Sequence, residues 1–328
     1  MSPEAAHLTD LRESSTKAAV EVASRITHNV CAVLEGKQAV VQLSVAALLA
    51  RGHLLIEDVP GVGKTTLARA LAASVGVEFK RIQFTSDLMP ADVLGGNVYS
   101  QQKGEFALRR GPIFTNVLLA DEINRTTPKT QSALLEAMDE RRVSLDGHTH
   151  TLEEPFFVLA TQNPEEFYGT YPLPESQLDR FLMRLRIGYP PPEIERAVIA
   201  RRRKSDPVAE LSAVVDKRDL LAAQSAVDRV HVTDEVIDYL HNLVLATRHT
   251  PLLSIGASTR GAIALERAVR ALALTMGRNY ATPDDVKTVG VAVLAHRVRP
   301  AGSRDGGPAH TDGERVVRDL LSALPVPV

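Results

Sequence analysis

The alternation of apolar and polar residues divides the chain into two parts with different predicted structure. Up to about residue 190, short apolar runs alternate with amphipathic segments, and beyond it the periodic segments have the spacing of helices. The predicted strands occupy residues 54–56, 79–84, 117–120, 157–160 and 185–188. Strands that alternate with helices are typical of a parallel sheet covered on both faces. We therefore predict an α/β sandwich with a five-stranded parallel sheet, followed by an all-helical domain.

The first part also contains predicted helices and two predicted hairpins. The helices are predicted at residues 16–34, 37–50, 67–75, 128–141 and 176–183. Residues 1 to about 15 are polar and are expected to fray. Residues 97–109 and 142–157 have the pattern of β-hairpins, and the second turns at Asp146 and Gly147. The hairpins interrupt the alternation of strand and helix, so we interpret them as inserts.

A run of prolines marks the predicted boundary between the two parts. Tyr189 is followed by Pro190, Pro191 and Pro192, which together end any regular element. Later helices are predicted at residues 193–203, 217–227, 234–247, 259–276 and 283–296. The predicted domains are a helical lead-in over 1–35, a core over 36–190, a helical domain over 191–300 and a tail over 301–328. We expect the tail to be flexible, with one short helix at residues 314–324.

The first predicted strand leads into a loop with the sequence of a phosphate-binding P-loop. The residues expected to surround a phosphate are Pro60, Gly61, Val62, Gly63, Lys64, Thr65 and Thr66. Lys64 would place its ammonium against the outer phosphates of a nucleotide, and Thr65 would offer its hydroxyl to Mg²⁺. The motif G-x-x-x-x-G-K-[ST] has a glycine where this chain has Asp58, so Pro60 and Gly61 must make the turn. An ordinary strand–turn–helix is the alternative interpretation.

Two further predicted strands end in polar residues that suit phosphate chemistry. Asp121 and Glu122 follow the apolar run at 117–120, and Asn163 follows the run at 157–160. Asp121 would face the metal, while Glu122 could polarise a water for attack on the γ-phosphorus. Asn163 could hold that water or a phosphate oxygen, because the carboxyl ends of parallel strands line the ligand crevice. The alternatives are solvated acids at a strand end and an asparagine that caps its own loop.

Two arginines are candidates for stabilising the charge that develops during phosphoryl transfer. Arg180 follows Leu178 and Asp179, and Arg260 lies at the start of a predicted helix in the second domain. Guanidinium groups commonly stabilise a transferring phosphoryl group. Arginines are also common as surface residues or as partners of carboxylates, so each residue alone supports either interpretation.

Bulk composition limits the classes of partner. The chain has 328 residues, a formal net charge of −2, 4% aromatic residues and no tryptophan. This composition provides neither a strong basic footprint nor a base-stacking platform, so we regard nucleic acid as an unlikely partner. The longest apolar region, residues 39–56, is interrupted by polar residues and is too polar to span a membrane. Cytoplasmic localisation is the default expectation.

These motifs, in this order, resemble those of AAA+ ATPases, and four stretches resemble the MoxR family. The stretches are Glu-Asp-Val-Pro-Gly-Val-Gly-Lys-Thr, Ala-Asp-Glu-Ile-Asn-Arg, Ala-Thr-Gln-Asn-Pro and Leu-Pro-Glu-Ser-Gln-Leu-Asp-Arg-Phe. The similarity runs from about Val33 to about His296. It implies an αβα nucleotide-binding core with two hairpin inserts, followed by an all-α lid domain. Asp58 departs from the usual first glycine, which family members tolerate.

The resemblance implies a role for each candidate in the core. Lys64 and Thr65 would bind phosphate and Mg²⁺, Asp121 would bind the metal, and Glu122 would activate the hydrolytic water. Asn163 would be the first sensor of the γ-phosphate. The region around residues 33–37, including Gly36, would lie near the adenine. The cofactors implied are therefore ATP and Mg²⁺.

The resemblance also implies roles for the two arginines and for assembly. Arg180 would be the arginine finger that acts on a neighbouring subunit's ATP. Arg260 would be the second sensor, reporting from the lid on the ATP of its own subunit, although Thr259 replaces the proline often found before it. Assembly would be a homo-oligomeric ring, in the family a hexamer, that acts as a chaperone on a protein client, often one with a von Willebrand factor A domain. The alternatives are a nucleic-acid motor of the same clade and a scaffold that binds nucleotide without hydrolysis.

Overall fold

The computed structural model of the protein describes residues 3–101, 104–163, 169–201, 206–302 and 309–327. Two helices, α1 (Pro3–Cys31) and α2 (Gln38–Leu49), precede the first strand. Helix α1 begins well before the predicted position 16. Its residues Ala19, Ala23 and Ile26 are buried at the three- to four-residue spacing of one helical face, so tertiary packing stabilises this helix.

The core contains nine strands and four helices among the described residues. In chain order these are β1 (Leu54–Glu57), α3 (Lys64–Val75), β2 (Phe79–Gln83), α4 (Pro90–Leu94), β3 (Gly95–Ser100), β4 (Glu105–Arg110), β5 (Val117–Asp121), α5 (Pro128–Glu140), β6 (Arg142–Leu145), β7 (His148–Thr151), β8 (Phe157–Gln162), α6 (Glu175–Leu178) and β9 (Met183–Leu185). A single turn of 3-10 helix, Ile123–Arg125, follows β5. Strands β3 with β4 and β6 with β7 form antiparallel hairpins, as the sequence predicted.

The remaining five strands form one parallel sheet in the order β2-β5-β8-β1-β9. Strands β1, β5 and β8 are buried along their whole length, which explains their continuous apolar runs. Leu54 and Ile56 contribute to the larger apolar cluster on one face, with α1, α2, α3 and the later helices. Leu55 points into a second cluster on the opposite face, built mainly with α5. The predicted five-stranded parallel sheet is confirmed.

Strand β9 lies two to three residues earlier than predicted. The sequence prediction placed this strand at 185–188, whereas β9 covers Met183–Leu185 and includes the charged Arg184. The structure pairs the Arg184 guanidinium with the Glu57 carboxylate at 3.0 Å, and both side chains are almost fully buried. Residues 187 and 188 do not continue the strand, because their N–H groups donate to the Asp58 carboxylate instead. Helix α6 is likewise shorter than the predicted 176–183.

The later part of the chain is helical apart from one short strand pair. Its elements are α7 (Pro192–Arg201), α8 (Lys217–Val227), α9 (Asp234–His249), β10 (Leu253–Ile255), α10 (Thr259–Thr275), α11 (Pro283–Leu294), β11 (Arg299–Pro300) and α12 (Ala309–Ala323). The predicted helical domain is confirmed, and the structure adds one short antiparallel strand pair, β10 with β11, that the sequence analysis did not predict. The predicted end of the 193–203 helix lies outside the described residues.

The terminal segment differs from the flexible tail that the sequence predicted. Helix α12 begins five residues before the predicted position 314, and Val316, Val317 and Leu321 are buried. Glu314 pairs with Arg184 at 2.8 Å, which ties α12 to the edge strand β9. Part of the predicted tail, residues 303–308, lies outside the described residues. No helix in the part of the chain that the structure describes is long and apolar enough to cross a membrane.

Candidate functional site

The loop between β1 and α3 has the backbone conformation that its glycines permit. Gly61 has φ of 86° and Gly63 has φ of 102°, a region that side chains with a Cβ rarely occupy. Helix α3 begins at Lys64, and no side chain caps its amino end within the described residues. The predicted phosphate-binding residues form this loop and the first turn of the helix. The N–H groups of that turn carry the positive end of the helix dipole, which suits an anion.

Asp58 has a structural role that accounts for its place in the loop. Its carboxylate accepts hydrogen bonds from the backbone N–H groups of Val59 at 2.9 Å, Ile187 at 2.7 Å and Gly188 at 2.6 Å. The Lys64 ammonium donates to the Asp58 carbonyl oxygen at 2.6 Å. The aspartate therefore fastens the start of the loop to the segment after β9, which a glycine at this position could not do.

The turn between α1 and α2 lies against the same loop. A Cβ added to Gly63 would lie 2.9 Å from Leu34 Cδ1, so the turn approaches the loop backbone closely. Gly36 has φ of 73°, and a Cβ there would lie 2.6 Å from Ile194 Cδ1 and 3.2 Å from Pro191 Cδ. The structure thus places Gly36 against the start of α7, and its expected position near an adenine stays a prediction.

A single threonine hydroxyl forms hydrogen bonds with both acidic residues at the end of β5. Thr161 Oγ1 donates to Asp121 Oδ1 at 2.6 Å and accepts from the Glu122 N–H at 2.9 Å. The other oxygen of Asp121 accepts from Arg81 at 2.6 and 3.1 Å. Because β5 and β8 are neighbours, Asp121, Glu122 and the buried Asn163 all lie at the carboxyl edge of the sheet.

Glu122 is held by two neighbours that sequence reasoning missed. Its backbone is left-handed, with φ of 57°, which turns the chain sharply at the end of the strand. Its carboxylate accepts from the Gln83 side-chain amide at 2.7 Å and pairs with Arg125 at 3.0 Å. Arg81 and Gln83 are two residues apart in β2, so their side chains project from the same face, beside β5. That two-residue spacing was the available signal in the sequence.

The two candidate arginines lie together, on one carboxylate. Arg180 pairs with Asp139 at 2.9 Å and donates to the Leu135 carbonyl at 2.8 Å. Arg260, on the first turn of α10, lies 3.8 Å from the same Asp139 carboxylate. The lid and the core therefore bring both guanidinium groups to the end of α5, although they are 80 residues apart in sequence.

This shared position lies at the amino-terminal edge of the sheet. The residue before Asp139, Met138, accepts from His53, which directly precedes β1, and His53 also binds the N–H of Val158 in β8. Strands of four to six residues separate this edge from the P-loop, a separation of about 13–20 Å at about 3.3 Å per residue. Arg260 does not lie at the P-loop of its own subunit, where sequence reasoning expected it.

Two buried arginines outside the predicted set support these segments. Arg184 lies between the carboxylates of Glu57 and Glu314, and Glu57 also accepts from Gln162, one residue before Asn163. Arg297, after α11, binds the segment that carries Arg180. Sequence reasoning missed both because a buried arginine has no local sequence signature. Its burial depends on partners that lie more than a hundred residues away.

The donor set at the carboxyl edge fits a nucleoside triphosphate with Mg²⁺. Lys64 supplies a cation, and the open amino end of α3 supplies N–H donors for phosphate oxygens. The Thr65 hydroxyl and the Asp121 carboxylate are oxygen donors of the kind that Mg²⁺ prefers. A Cβ at Gly61 would meet no atom within 4 Å, so space is available beside the loop.

Comparison with known proteins decides the family. A family model described as ATPase family associated with various cellular activities (AAA) matches residues 53–183, and an AAA lid domain model matches residues 245–320. Chaperone MoxR1 of Mycobacterium tuberculosis is 43% identical over 290 residues, covering 86% of this chain and 76% of that protein. The chain belongs to the MoxR family of AAA+ ATPases. The family and the fold predicted from the sequence are thereby confirmed.

Two other comparisons extend over nearly the whole chain. The Bacillus subtilis protein named Uncharacterized protein YeaC is 50% identical over 298 residues, covering 90% of this chain and 92% of that protein. A crystal structure from Cytophaga hutchinsonii, described as a candidate ATPase, superposes with a TM-score of 0.88 at 34% identity. The superposition covers 98% of this chain and 99% of that one. The two chains therefore share the same fold over nearly their whole compared length.

Proposed function

We propose that this MoxR-family protein hydrolyses ATP with Mg²⁺ at sites shared between neighbouring copies in a ring, and uses the motion to remodel a protein client. The observation that supports a shared site is that the two sets of candidate residues lie at opposite edges of the sheet. Lys64, Asp121 and Glu122 lie at the carboxyl edge of the sheet, whereas Arg180 and Arg260 lie together at the amino-terminal edge. One subunit cannot close both halves around one nucleotide.

Within one subunit, the residues at the carboxyl edge divide the work. Lys64 and the N–H groups of α3 would bind the phosphates, while Thr65 and Asp121 would hold Mg²⁺, which neutralises the charge that develops on the phosphate oxygens. Glu122 would take up a proton from the attacking water. In this structure Gln83 and Arg125 both bind its Oε2. Asn163 would hold a phosphate oxygen or the water.

The neighbouring subunit would supply both arginines. Arg180 and Arg260 share Asp139, so a neighbour's γ-phosphate approaching this edge would replace one carboxylate by a more highly charged anion. This revises the sequence-based expectation that Arg260 senses the ATP of its own subunit. Both arginines would reach the transferring phosphoryl group only after assembly, which makes assembly a condition of turnover.

A protein client is supported by the relatives and by the first hairpin. Tyr99 and Phe106 face each other across β3 and β4 with ring centroids 5.4 Å apart, and they are 53% and 71% exposed. Exposed paired aromatics suit contact with protein more than with a charged backbone. We propose a client linked to a von Willebrand factor A domain protein, as the family resemblance implies. The nucleic-acid motor is not favoured, and its test is stimulation of ATPase activity by DNA with steep salt dependence.

The decisive experiment replaces the arginine that must act across the interface. Arg180→Ala should bind ATP with unchanged affinity, because the P-loop residues of its own subunit remain intact. It should lose turnover. Added in small amounts to wild-type protein, it should reduce activity more than its share, since each variant copy disables its neighbour's site. Arg218→Ala, which removes an exposed arginine in the first turn of α8, is the matched control and should only dilute activity. A strictly linear loss with Arg180→Ala would remove the trans role.

The client proposal has its own test. Glu122→Gln in ATP should form an assembly that binds nucleotide and does not turn it over, so a bound client should stay bound. A purified candidate with a von Willebrand factor A domain should co-elute with this form in ATP and separate from it in ADP. Equal retention in both nucleotides would contradict a remodelling cycle on that client.

A further inference from the structure

Arg297 is the most extensively bonded buried charge among the described residues outside the predicted site. It follows α11 in the lid, and its side chain is 3% exposed. Nε donates to Asp179 Oδ1 at 2.7 Å, and Nη2 donates to the carbonyl oxygens of Asp179 at 3.2 Å and Phe181 at 2.7 Å. Nη1 donates to the Leu182 carbonyl at 3.1 Å. The guanidinium therefore binds the backbone on both sides of Arg180.

The same side chain lies against the residue that follows Arg260. A Cβ added to Gly261 would lie 3.1 Å from Arg297 Cδ and 3.8 Å from its Nε. Gly261 is in the first turn of α10, and its N–H is fixed by the Ser258 hydroxyl at 3.1 Å. Arg297 thus touches the backbone beside both arginines that converge on Asp139, one from the core and one from the lid.

Neighbouring His296 is buried in the same cluster, with 2% of its surface exposed. Its Nε2 lies 3.0 Å from the Phe181 carbonyl oxygen and 2.8 Å from Arg297 Nη1, and it can bond to one of these groups at a time. A planar guanidinium with five N–H donors can bind several carbonyls and a carboxylate at once, whereas a lysine ammonium is a point charge with three donors on a flexible stem. Lysine at position 297 would keep the charge and lose the fork that spans the Arg180 segment.

We propose that Arg297 is a positioning residue that fixes Arg180 and Arg260 as one rigid unit, which a subunit presents to its neighbour's nucleotide. This inference rests on the proposed shared site. The donating half of that site is the pair of arginines that one subunit presents to its neighbour's nucleotide, and Arg297 sets the geometry of this half. Arg297 touches neither nucleotide nor the reacting atoms. Its loss should therefore reduce kcat while the affinity of its own subunit for ATP stays unchanged.

Mixing experiments separate this role from general damage. Glu122→Gln disables the accepting half of a site, which is the half that binds the nucleotide. Arg180→Ala disables the donating half. In a random equal mixture, about one interface in four in a cyclic ring joins two intact halves. Two inactive variants should therefore complement each other to about a quarter of wild-type activity when their defects lie in opposite halves.

Arg297→Lys should behave as a donating-half variant. Mixed with Glu122→Gln, it should recover about a quarter of wild-type activity by the same count of interfaces. Mixed with Arg180→Ala, it should recover nothing. Recovery with Arg180→Ala, recovery with neither variant, or full activity of Arg297→Lys alone would each overturn the inference. Failure of Glu122→Gln to complement Arg180→Ala would instead overturn the shared site itself.

A second variant keeps the test decisive if Arg297→Lys does not fold. Gly261→Ala adds one methyl group 3.1 Å from Arg297 Cδ, and the helix propensity of alanine offsets part of the packing cost, so the variant should still fold. Displacement of the arginine by a few tenths of an ångström should reduce kcat about threefold to tenfold. In an equal mixture with Glu122→Gln, the rate per Gly261→Ala subunit should therefore rise to about half to two-thirds of the wild-type rate, because half of its neighbours then supply an intact donating half. Wild-type kcat for Gly261→Ala, with a misfolded Arg297→Lys, would overturn the proposal.

Discussion

Acidification should destabilise the protein through one buried histidine. His53 directly precedes β1, and its described hydrogen-bond partners are backbone groups. Its Nε2 lies 3.2 Å from the Met138 carbonyl oxygen, and its Nδ1 lies 3.0 Å from the Val158 N–H. The ring must therefore be neutral, with Nε2 as donor and Nδ1 as acceptor. A second proton on Nδ1 would face the Val158 N–H and break that bond.

The magnitude follows from the pKa of this residue in the folded and unfolded chain. Burial lowers the pKa of His53 to about 4 from its ordinary value of 6.5, helped by the nearby charges of Arg141 and Arg267 and opposed by the bond to Met138. Because the folded pKa is the lower one, the unfolded chain binds more protons below pH 6.5. The contribution to stability is complete above pH 6.5 and is lost as the pH falls toward 4. At pH 5 the loss is about 2 kcal/mol.

The assay is urea denaturation at pH 8 and pH 5, for the wild type and for His53→Gln. Glutamine offers one donor and one acceptor but does not titrate, so the variant should lack the histidine contribution whatever its absolute stability. The free energy of unfolding should fall by about 2 kcal/mol more in the wild type than in the variant. An equal fall in the two proteins would show that His53 does not titrate differently in the folded state.

Three further variants test other parts of the account. Glu122→Gln should keep ATP binding and lose at least about a hundredfold in phosphate release, and substantial residual turnover would identify another base. Arg184→Met should cost about 3–5 kcal/mol in chemical denaturation because it leaves Glu57 buried without that partner. The exposed Arg186→Met should cost under about 1 kcal/mol, and equal costs would refute the buried pair. Asp58→Ala should cost about 2–4 kcal/mol by removing the acceptor for three backbone N–H groups.

The phosphate-binding half of the site was accessible from sequence because its chemistry requires particular residue types after buried strands. Lys64 and Thr65 follow β1, Asp121 ends β5 and Asn163 follows β8. Once those apolar runs are interpreted as parallel neighbours, their carboxyl ends must meet. The hairpins were accessible for a similar reason, since local turn residues determine them. Local chemistry and periodicity therefore predicted the sheet and the contents of one edge.

The arrangement of residues at the amino-terminal edge of the sheet could not be predicted from the sequence in the same way. The position of Arg260 depends on where the lid packs against the core, and no local pattern encodes a contact with Asp139. Arg184 and Arg297 are buried charges, and sequence reasoning treats a charge as a sign of exposure. Helix α12 was missed as a packed element because its anchor, Glu314, binds a partner 130 residues earlier.

The central claim is that each reaction centre is completed by two copies of the chain. Its most direct test is the ATPase rate per subunit across a wide range of protein concentration, with sedimentation velocity on the same samples in nucleotide and magnesium. The account predicts that the rate per subunit rises in proportion to the assembled fraction and is negligible for the monomer. A monomer that hydrolyses ATP at the full rate would contradict it.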